Sequence, residues 1–373
     1  MLKLKLIGVG AAGNKAAIAA LEQGAVAEDE IMLLNSYLGD IPAAYQQYGL
    51  KLSDKILGTG KERRVARTMT IEYLEAQGTL VDDFVREADL VCVVNSTEGG
   101  NGSGASSVLY KYLLNVCNKN VLGFVFTGFE EDGRGLKNTL EYFNDLDPNI
   151  SVQVISNKKF LPLKGKNKLR AERQANDEFV KRLRIVRGQQ LVDSIQNIDQ
   201  TELLKLVTTP GYLQVEHLLI NEEPDNVEQF NQLVGDMLRN SKALPTTATC
   251  KRLGVMVCVT PKLQEIVDYD FEPLLAAYGT PYEIFTHVQD TTRFGNELYV
   301  LAAGLEMPLE AAKAVFESFK AKVQQVAKED HSFTDFMKGV VTEQDSGRFN
   351  MQRREELTPE ELAERKKEFA DMV

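Results

Sequence analysis

Histidine and cysteine are scarce in this chain. His217, His287 and His331 are scattered, and Cys92, Cys117, Cys250 and Cys258 lie in apolar surroundings without paired close spacing. The histidines support no metal site or triad. The cysteines read as small buried hydrophobes of a reducing compartment, not as a disulfide frame or a zinc site. No apolar run approaches the roughly 20 residues needed to span a bilayer. The start, Met1-Leu-Lys-Leu-Lys-Leu-Ile-Gly8, reads as a strand entering a glycine turn and lacks the longer apolar stretch of a signal peptide. A cytoplasmic protein with no membrane partner is expected. Positive charge is also short, with 43 Lys and Arg against 54 Asp and Glu, a net charge of −11. That balance argues against direct nucleic-acid binding over the whole surface, though not against a local basic patch. Internal repeats and low-complexity segments are absent, as is the G-x-x-x-x-G-K-[S/T] of a P-loop.

What is present is an ordinary globular composition, 43% hydrophobic and 26% charged, in 373 residues. That length suits two domains or one large one. The first part alternates strand and helix signals: strand Leu2–Val9, helix Ala12–Gln23, strand Ile31–Asn35, helices Arg63–Gln77 and Leu80–Glu87. Apolar runs Leu90–Asn95 and Val121–Thr127, a helical spacing over Gly135–Leu146 and a short strand Ser151–Ile155 follow. Such alternation predicts an α/β fold, a parallel sheet covered by helices on both faces, with ligands outside the carboxyl ends of its strands. A long charged helix is expected over Leu169–Asp193. A second αβ region follows, with helix Val227–Asn240, strands Leu253–Val259 and Asn296–Ala303, and helix Met307–Val326. Residues 343–357 read as a linker before a charged helical tail opened by Thr358-Pro359.

Chemistry concentrates in glycine. Between Glu98 and Gly104 the chain reads Glu-Gly-Gly-Asn-Gly-Ser-Gly, four glycines in seven residues after an apolar run and before a helix. A backbone so free of Cβ atoms can turn its N–H groups toward an anion at a helix N-terminus. An earlier turn, Gly8-Val-Gly10-Ala11-Ala12-Gly13-Asn14, carries the G-x-G-x-x-G of dinucleotide folds. The acidic residue that usually ends the next strand is replaced by Asn35-Ser36, and a plain dinucleotide fold does not need the second loop. Two such loops suit a nucleoside di- or triphosphate gripped along its chain. Gly58-Thr-Gly60-Lys61 could add backbone donors and a Lys61 or Arg63 cation near the terminal phosphate, or be an ordinary turn. Asn176, in Ala175-Asn-Asp177, offers the donor and acceptor that a guanine edge needs, though a lone Asn is more often solvated. Asp199 and Glu202, in Asn197-Ile-Asp-Gln-Thr-Glu202, share one helical turn. They can polarise a water, or simply cap the helix.

These segments, in this order, resemble the tubulin/FtsZ superfamily of polymerising GTPases. The family's G-x-G-x-x-G-N is similar to Gly8–Asn14, and its G-G-G-T-G-[S/T]-G to Glu98–Gly104, with Ser103 at the hydroxyl position. Its A-N-D on the central helix matches Ala175–Asp177, and its N-x-D-x-x-[D/E] synergy loop matches Asn197–Glu202. Phe129–Arg134, with Asp132 and Arg134, looks like the ribose-contacting loop. Ile155-Ser-Asn157 looks like the short asparagine-bearing loop. The resemblance implies a GTP-binding domain over 1–168, a central helix over 169–193, an activation domain over 194–342 and a linker and tail over 343–373. It implies nucleotide contacts from Gly10, Ala11, Ala12, Gly13, Asn14, Asn35, Gly58, Gly60, Lys61, Gly99, Gly100, Asn101, Gly102, Ser103, Gly104, Asp132, Arg134, Asn157 and Asn176. GTP or GDP is the implied ligand, with Mg²⁺ held mainly by phosphates and water. Glu98 and Asn101 depart from the signature, where the family has glycine and threonine. Glu98 would repel phosphates unless it points away or meets magnesium through water. The style of the chain looks closer to the TubZ-like tubulins of plasmids and phages than to cell-division FtsZ. That likeness implies DNA segregation, with a DNA-binding adaptor as a possible partner of the tail.

Asn176 and Asp199 are 23 positions apart across the long helix. At about 1.5 Å per residue they stand roughly 30 Å or more from each other. A nucleotide touching Asn176 therefore cannot also reach Asp199, Glu202 and Asn197 of its own chain. The expected partner is a second copy, joined head to tail into a filament. An NAD-dependent oxidoreductase using Gly8–Gly13 and a nucleotide-binding scaffold without hydrolysis are the rival readings.

Overall fold

Continuous apolar runs become strands buried on both faces, the pattern of a parallel sheet sandwiched by helices. In the computed structural model, which describes residues 1–54, 58–162, 167–189, 191, 197–244, 249–290 and 295–326, these runs form β1 (Leu4–Val9), β2 (Ile31–Asn35), and a short β3 (Gly49–Lys51). They continue as β4 (Leu90–Ser96), β5 (Val121–Thr127) and β6 (Ser151–Ser156), and every residue of β2, β5 and β6 is buried. The intervening helices are α1 (Gly10–Glu22), α2 (Arg63–Gln77), α3 (Thr79–Val85), α4 (Gly100–Lys111) and α5 (Gly133–Asp145). The later part adds α6 (Lys168–Arg187), α7 (Gln200–Val207), β7 (Gly211–Ile220), α8 (Val227–Arg239) and β8 (Arg252–Val259). It ends with α9 (Pro261–Gln264), α10 (Glu272–Tyr278), β9 (Glu283–Asp290), β10 (Asn296–Leu305) and α11 (Leu309–Val326).

All the strands join one sheet in the order β3-β2-β1-β4-β5-β6-β7-β10-β8-β9. From β3 to β6 every pairing is parallel, and the order reverses between β1 and β4. That reversal is the topological switch point where ligands bind in open α/β sheets. β6 and β7 pair only through Ser151–Gly211 and Val152–Tyr212, after which β10 runs antiparallel between β7 and β8. Alternate residues of β1 feed opposite cores, Ile7 and Val9 on one face and Leu4 and Leu6 on the other. Among the described residues no helix is long and apolar enough to cross a membrane.

Some expectations change. The central helix stops at Arg187, short of the expected Asp193, because Gly188 takes a left-handed conformation (φ 79°) and its N–H returns to the Arg184 and Ile185 carbonyls. Glycine is the residue that closes a helix this way at least cost, and the basic Arg184 and Arg187 suit its last turn. Residues 190 and 192–196 lie outside the described residues, as do the linker and tail expected beyond 343. α4 begins inside the glycine-rich signature, at Gly100, not after it. β7 was not legible as a strand, since Gln214, Glu216 and His217 interrupt its apolar pattern.

Helix α1 lies directly on β4: a Cβ on Gly13 would stand 2.2 Å from the Val94 carbonyl oxygen and 3.1 Å from Asn95 Cα. Backbone cannot step aside as a side chain can. Gly13→Ala should lower stability by about 1–3 kcal/mol, seen as a lower urea midpoint with an unchanged slope.

Candidate functional site

The parallel strands β1, β2, β4, β5 and β6 end on one edge of the sheet, and each delivers its next segment there. Gly10 and Gly100 start α1 and α4 at that edge, Asn157 follows β6, and Asp132 caps α5. The glycines let these segments meet. Gly10 (φ +73°) faces Gly102, whose N and Cα would lie 2.7 and 2.9 Å from any Cβ on Gly10. Gly100 rests on the backbone of Lys61 and Glu62 at 2.5 and 2.6 Å, and Gly104 on the Arg63 carbonyl oxygen at 2.4 Å, by the same measure. The three glycine loops thus converge on the switch point. Gly99, Gly58 and Gly60 face open space.

The helix ends there are unfinished. α5, α6, α7 and α8 each have a side-chain cap, from Asp132, Asn167, Asp199 and Asn226 respectively. α1 and α4 begin at Val9 and Gly99 with no side-chain cap, as do α2, α3, α9 and α10 elsewhere. Beside the starts of α1 and α4, Ala11 and Ala12 are exposed and Gly99 offers no side chain. Uncapped N–H groups at two convergent helix N-termini fit an anion.

The remaining side chains fix the loops to each other. Asn101 donates to Asn35 Oδ1, and Asn35 Nδ2 donates to the Tyr37 carbonyl and Asp40 Oδ2, both at 3.1 Å. Asn14 donates to the Leu34 carbonyl at 3.3 Å. Ser103 Oγ donates to the Gly99 carbonyl at 2.5 Å. Asn138 Nδ2 ties two loops at once, donating to the Lys61 carbonyl at 3.0 Å and the Glu98 carbonyl at 2.9 Å. Asn138 was not singled out from sequence, although a polar residue on the buried stripe of α5 is the signal that marks it. Buried Asn14 Oδ1, Asn101 Oδ1 and Asn157 Oδ1 have no hydrogen-bond partner among the described residues, which leaves three unsatisfied acceptors at this edge.

The cations expected to serve a phosphate are engaged by protein. Lys61 pairs with Asp132, and Arg134 pairs with Glu62. Burial pushes the Asp132 carboxyl up, but the Lys61 ammonium and the Arg134 and Gly135 N–H groups outweigh it and hold it below its ordinary value. Arg63 is turned inward, 5% exposed, between Glu141 (3.2 Å) and Asp145 (2.9 Å) on α5. The reading of Arg63 as a phosphate cation is corrected accordingly: a positive side chain at the α2 N-terminus opposes the helix dipole and is stabilised by these carboxylates.

At the opposite edge lie Asp199 and Glu202. Gln200 Nε2 donates to the Met1 carbonyl at 3.3 Å, ahead of β1, and Gly211 pairs with Ser151, the first residue of β6. The strand between the two edges spans about 17 Å. Asp199 Oδ1 accepts from the Glu202 N–H at 2.7 Å, and Glu202 Oε2 from the Asp199 N–H at 3.1 Å, a reciprocal capping box. Asn197 is exposed just ahead of it. Asn176 is half-buried on α6, beside Asp177, which accepts from Gln23 at the end of α1 at 2.9 Å. The shortened α6 leaves about 17 Å of helix between Asn176 and its end. The separation of Asn176 from Asp199 thus rests on the sheet as well as on the helix.

No protein-family profile matches the chain. Several solved structures are similar to it over most of its length. TubZ of Clostridium botulinum phage c-st is 18% identical, with a TM-score of 0.64 over 86% of this chain and 99% of that one. CetZ2 of Haloferax volcanii, in a GTPγS-bound protofilament, is 18% identical, with a TM-score of 0.68 over 88% and 100%. An empty FtsZ dimer from M. jannaschii is 16% identical, with a TM-score of 0.61 over 81% and 87%. The chain has the tubulin/FtsZ fold.

Within the tubulin/FtsZ fold the departure at Glu98 has a clear geometry. Its carboxylate turns away from the glycine loops and lies over Gly128 and Gly135, where a Cβ on Gly128 would collide with both of its oxygens. Burial lifts the Glu98 carboxyl above its ordinary value of 4.5, opposed by the Glu130 N–H it accepts from. A raised carboxyl binds its proton more tightly folded than unfolded, so its contribution to stability falls as pH rises from about 4.5 through the raised value. Glu98→Gln should therefore gain stability relative to wild type across that rise. Urea midpoints of both proteins at several pH values check this; a constant difference contradicts it.

Proposed function

We propose that this protein binds GTP at the glycine-rich edge and hydrolyses it between head-to-tail copies of itself, as a filament-forming GTPase. The observation that carries the reading is the pair of uncapped helices, α1 and α4, meeting at Gly10 and Gly102 while the paired carboxylates stand at the far edge. Neighbours in the same fold support it, since CetZ2 was solved as a GTPγS-bound protofilament and Bacillus thuringiensis TubZ likewise.

In this account the N–H groups at the starts of α1 and α4 hold the phosphates. Asp132 and Arg134 stand at the ribose, and Asn157 and Asn176 at the base. Lys61, released from Asp132, is within the same loop cluster. Bound Mg²⁺ would neutralise phosphate charge; the chain supplies mainly backbone donors around it. Asp199 and Glu202 of the next copy orient and polarise the attacking water with the oxygens that the capping box leaves free, Asp199 Oδ2 and Glu202 Oε1. Catalysis is by positioning and electrostatics, as phosphoryl transfer requires. A contact joining one edge to the opposite edge is heterologous and propagates without closing. The TubZ side of the likeness favours DNA positioning for a plasmid or phage, with an adaptor at the tail.

The rival oxidoreductase reading shares the strand order but meets Asn35 at the end of β2, its amide already spent on Tyr37, Asp40 and Asn101. The acidic side chain at that strand end, Asp40, is already engaged by the Asn35 amide at 3.1 Å.

Because Gln also completes a capping box, Glu202→Gln keeps the α7 cap and removes only the charge. It should polymerise with GTP, as followed by light scattering, and hydrolyse it about 10²-fold more slowly or worse. Glu202→Ala should also lose about 1 kcal/mol of stability. In wild type, phosphate release per molecule should climb with protein concentration. A rate per molecule that is unchanged on dilution contradicts the shared site.

A further inference from the structure

Beyond the two residue pairs that join β6 to β7, a cavity of about 210 Å³ lies between α6, β7 and the end of α8, lined by Lys181, Arg182, Glu216, Ser241 and Lys242 among others. Arg182 is 2% exposed, one of the largest fully buried side chains. Its Nε donates to Glu178 Oε1 at 2.8 Å, and its Nη1 is buried without a partner among the described residues. That atom is closed to solvent, so contact with anything in the cavity falls to the rest of the guanidinium. Glu216 is 7% exposed. Its Oε1 accepts from Gln214 at 2.8 Å and from Ser241, while Oε2 takes no donor among the described residues. Arg182 and Glu216 share the cavity, yet no ion pair joins them among the described residues.

The other groups facing this space are accounted for. Glu178 is neutralised by Arg182. The His217 ring stacks on Tyr299 with centroids 4.7 Å apart and meets Glu297 Oε1 at 3.1 Å, so it is held by β10. Burial holds Lys181 below its ordinary range and lifts Glu216 above its own, so both charges lack full compensation. What fits between a cation cluster and an unsatisfied carboxylate is an oxyanion that still carries a proton. It would accept from the guanidinium and ammonium groups and donate its O–H to the carboxylate.

We propose that this cavity is a binding site for free hydrogen phosphate, held by Arg182, Lys181 and Lys242 and recognised through its O–H by Glu216. Sulfate has the same shape and no proton near neutral pH, so the carboxylate selects against it. The site is separate from the glycine loops and does not rest on the nucleotide reading.

The test titrates the full chain at about pH 8 with inorganic phosphate, sulfate and glycerol 3-phosphate in turn, by calorimetry. One phosphate should bind per chain, with sulfate weaker by about tenfold or more, the worth of one charge-assisted hydrogen bond. Glycerol 3-phosphate, whose phosphate has lost its second proton by about pH 8, should bind as weakly as sulfate; binding as tight as that of inorganic phosphate contradicts recognition of an O–H. Arg182→Met should abolish binding and Lys242→Ala weaken it severalfold. Glu216→Gln, nearly the same shape, should raise sulfate binding to the level of phosphate, a gain that misfolding cannot mimic. Equal binding of phosphate and sulfate by wild type, no phosphate binding, or binding unchanged by Glu216→Gln and Lys242→Ala would each overturn the proposal.

Discussion

A parallel sheet has a direction, and everything distinctive in this molecule depends on it. Strands β1, β2, β4, β5 and β6 all run the same way, so their outgoing segments gather at one edge. The chain brings α7 to the other edge because β7 enters parallel to β6, starting where β6 starts. Helix starts that can hold an anion and carboxylates that can orient water therefore stand with a strand's length between them. Neither set alone is a catalytic site for phosphoryl transfer. In the proposed reading the site is completed when one edge meets the opposite edge of another copy.

The glycine-rich edge is held together by backbone contact and a few polar ties, not by a large apolar core. Gly10 against Gly102, Gly100 against Lys61 and Gly104 against Arg63 are approaches that only a missing Cβ allows. Asn138 then bridges the Lys61 and Glu98 carbonyls, and Lys61 with Asp132 and Arg134 with Glu62 close the outer rim. Turning Glu98 under Gly128 and Gly135 keeps a negative charge in the signature loop without placing it among the uncapped N–H groups.

Much of this was legible in the residues. β2, α2 and β5 run as their apolar periodicity indicates, and the glycine loops fall at strand ends where the alternation puts them. The Asp199–Glu202 capping box is written in the spacing itself. Elsewhere tertiary packing outweighed local preference. Three glycines at Gly100, Gly102 and Gly104 argue against a helix, yet α4 includes them because neighbouring backbone fills the space of each absent side chain. Gly188 after two arginines was a readable stop, obscured by the helix-favouring residues beyond it. β7 was hidden because its polar Gln214, Glu216 and His217 are internally bonded, and only the fold shows their partners. Whether Asn176 and Asn157 read a base is a matter of their place in the fold, which no local pattern carries.

The shared active site can be tested by complementation. Glu202→Gln leaves the glycine loops intact but removes the distant charge. Gly99→Asp leaves Asp199 and Glu202 intact. It fits the open space and extended backbone at Gly99 (φ −79°, ψ 143°) while setting a carboxylate where α4 would receive a phosphate. Each variant alone should hydrolyse GTP poorly. Mixed, they should release phosphate well above the sum of the two separate rates, because a Gly99→Asp subunit can present its Glu202 to the nucleotide of a Glu202→Gln neighbour. A mixture no faster than that sum, from two folded variants that co-assemble, would contradict an active site divided between copies.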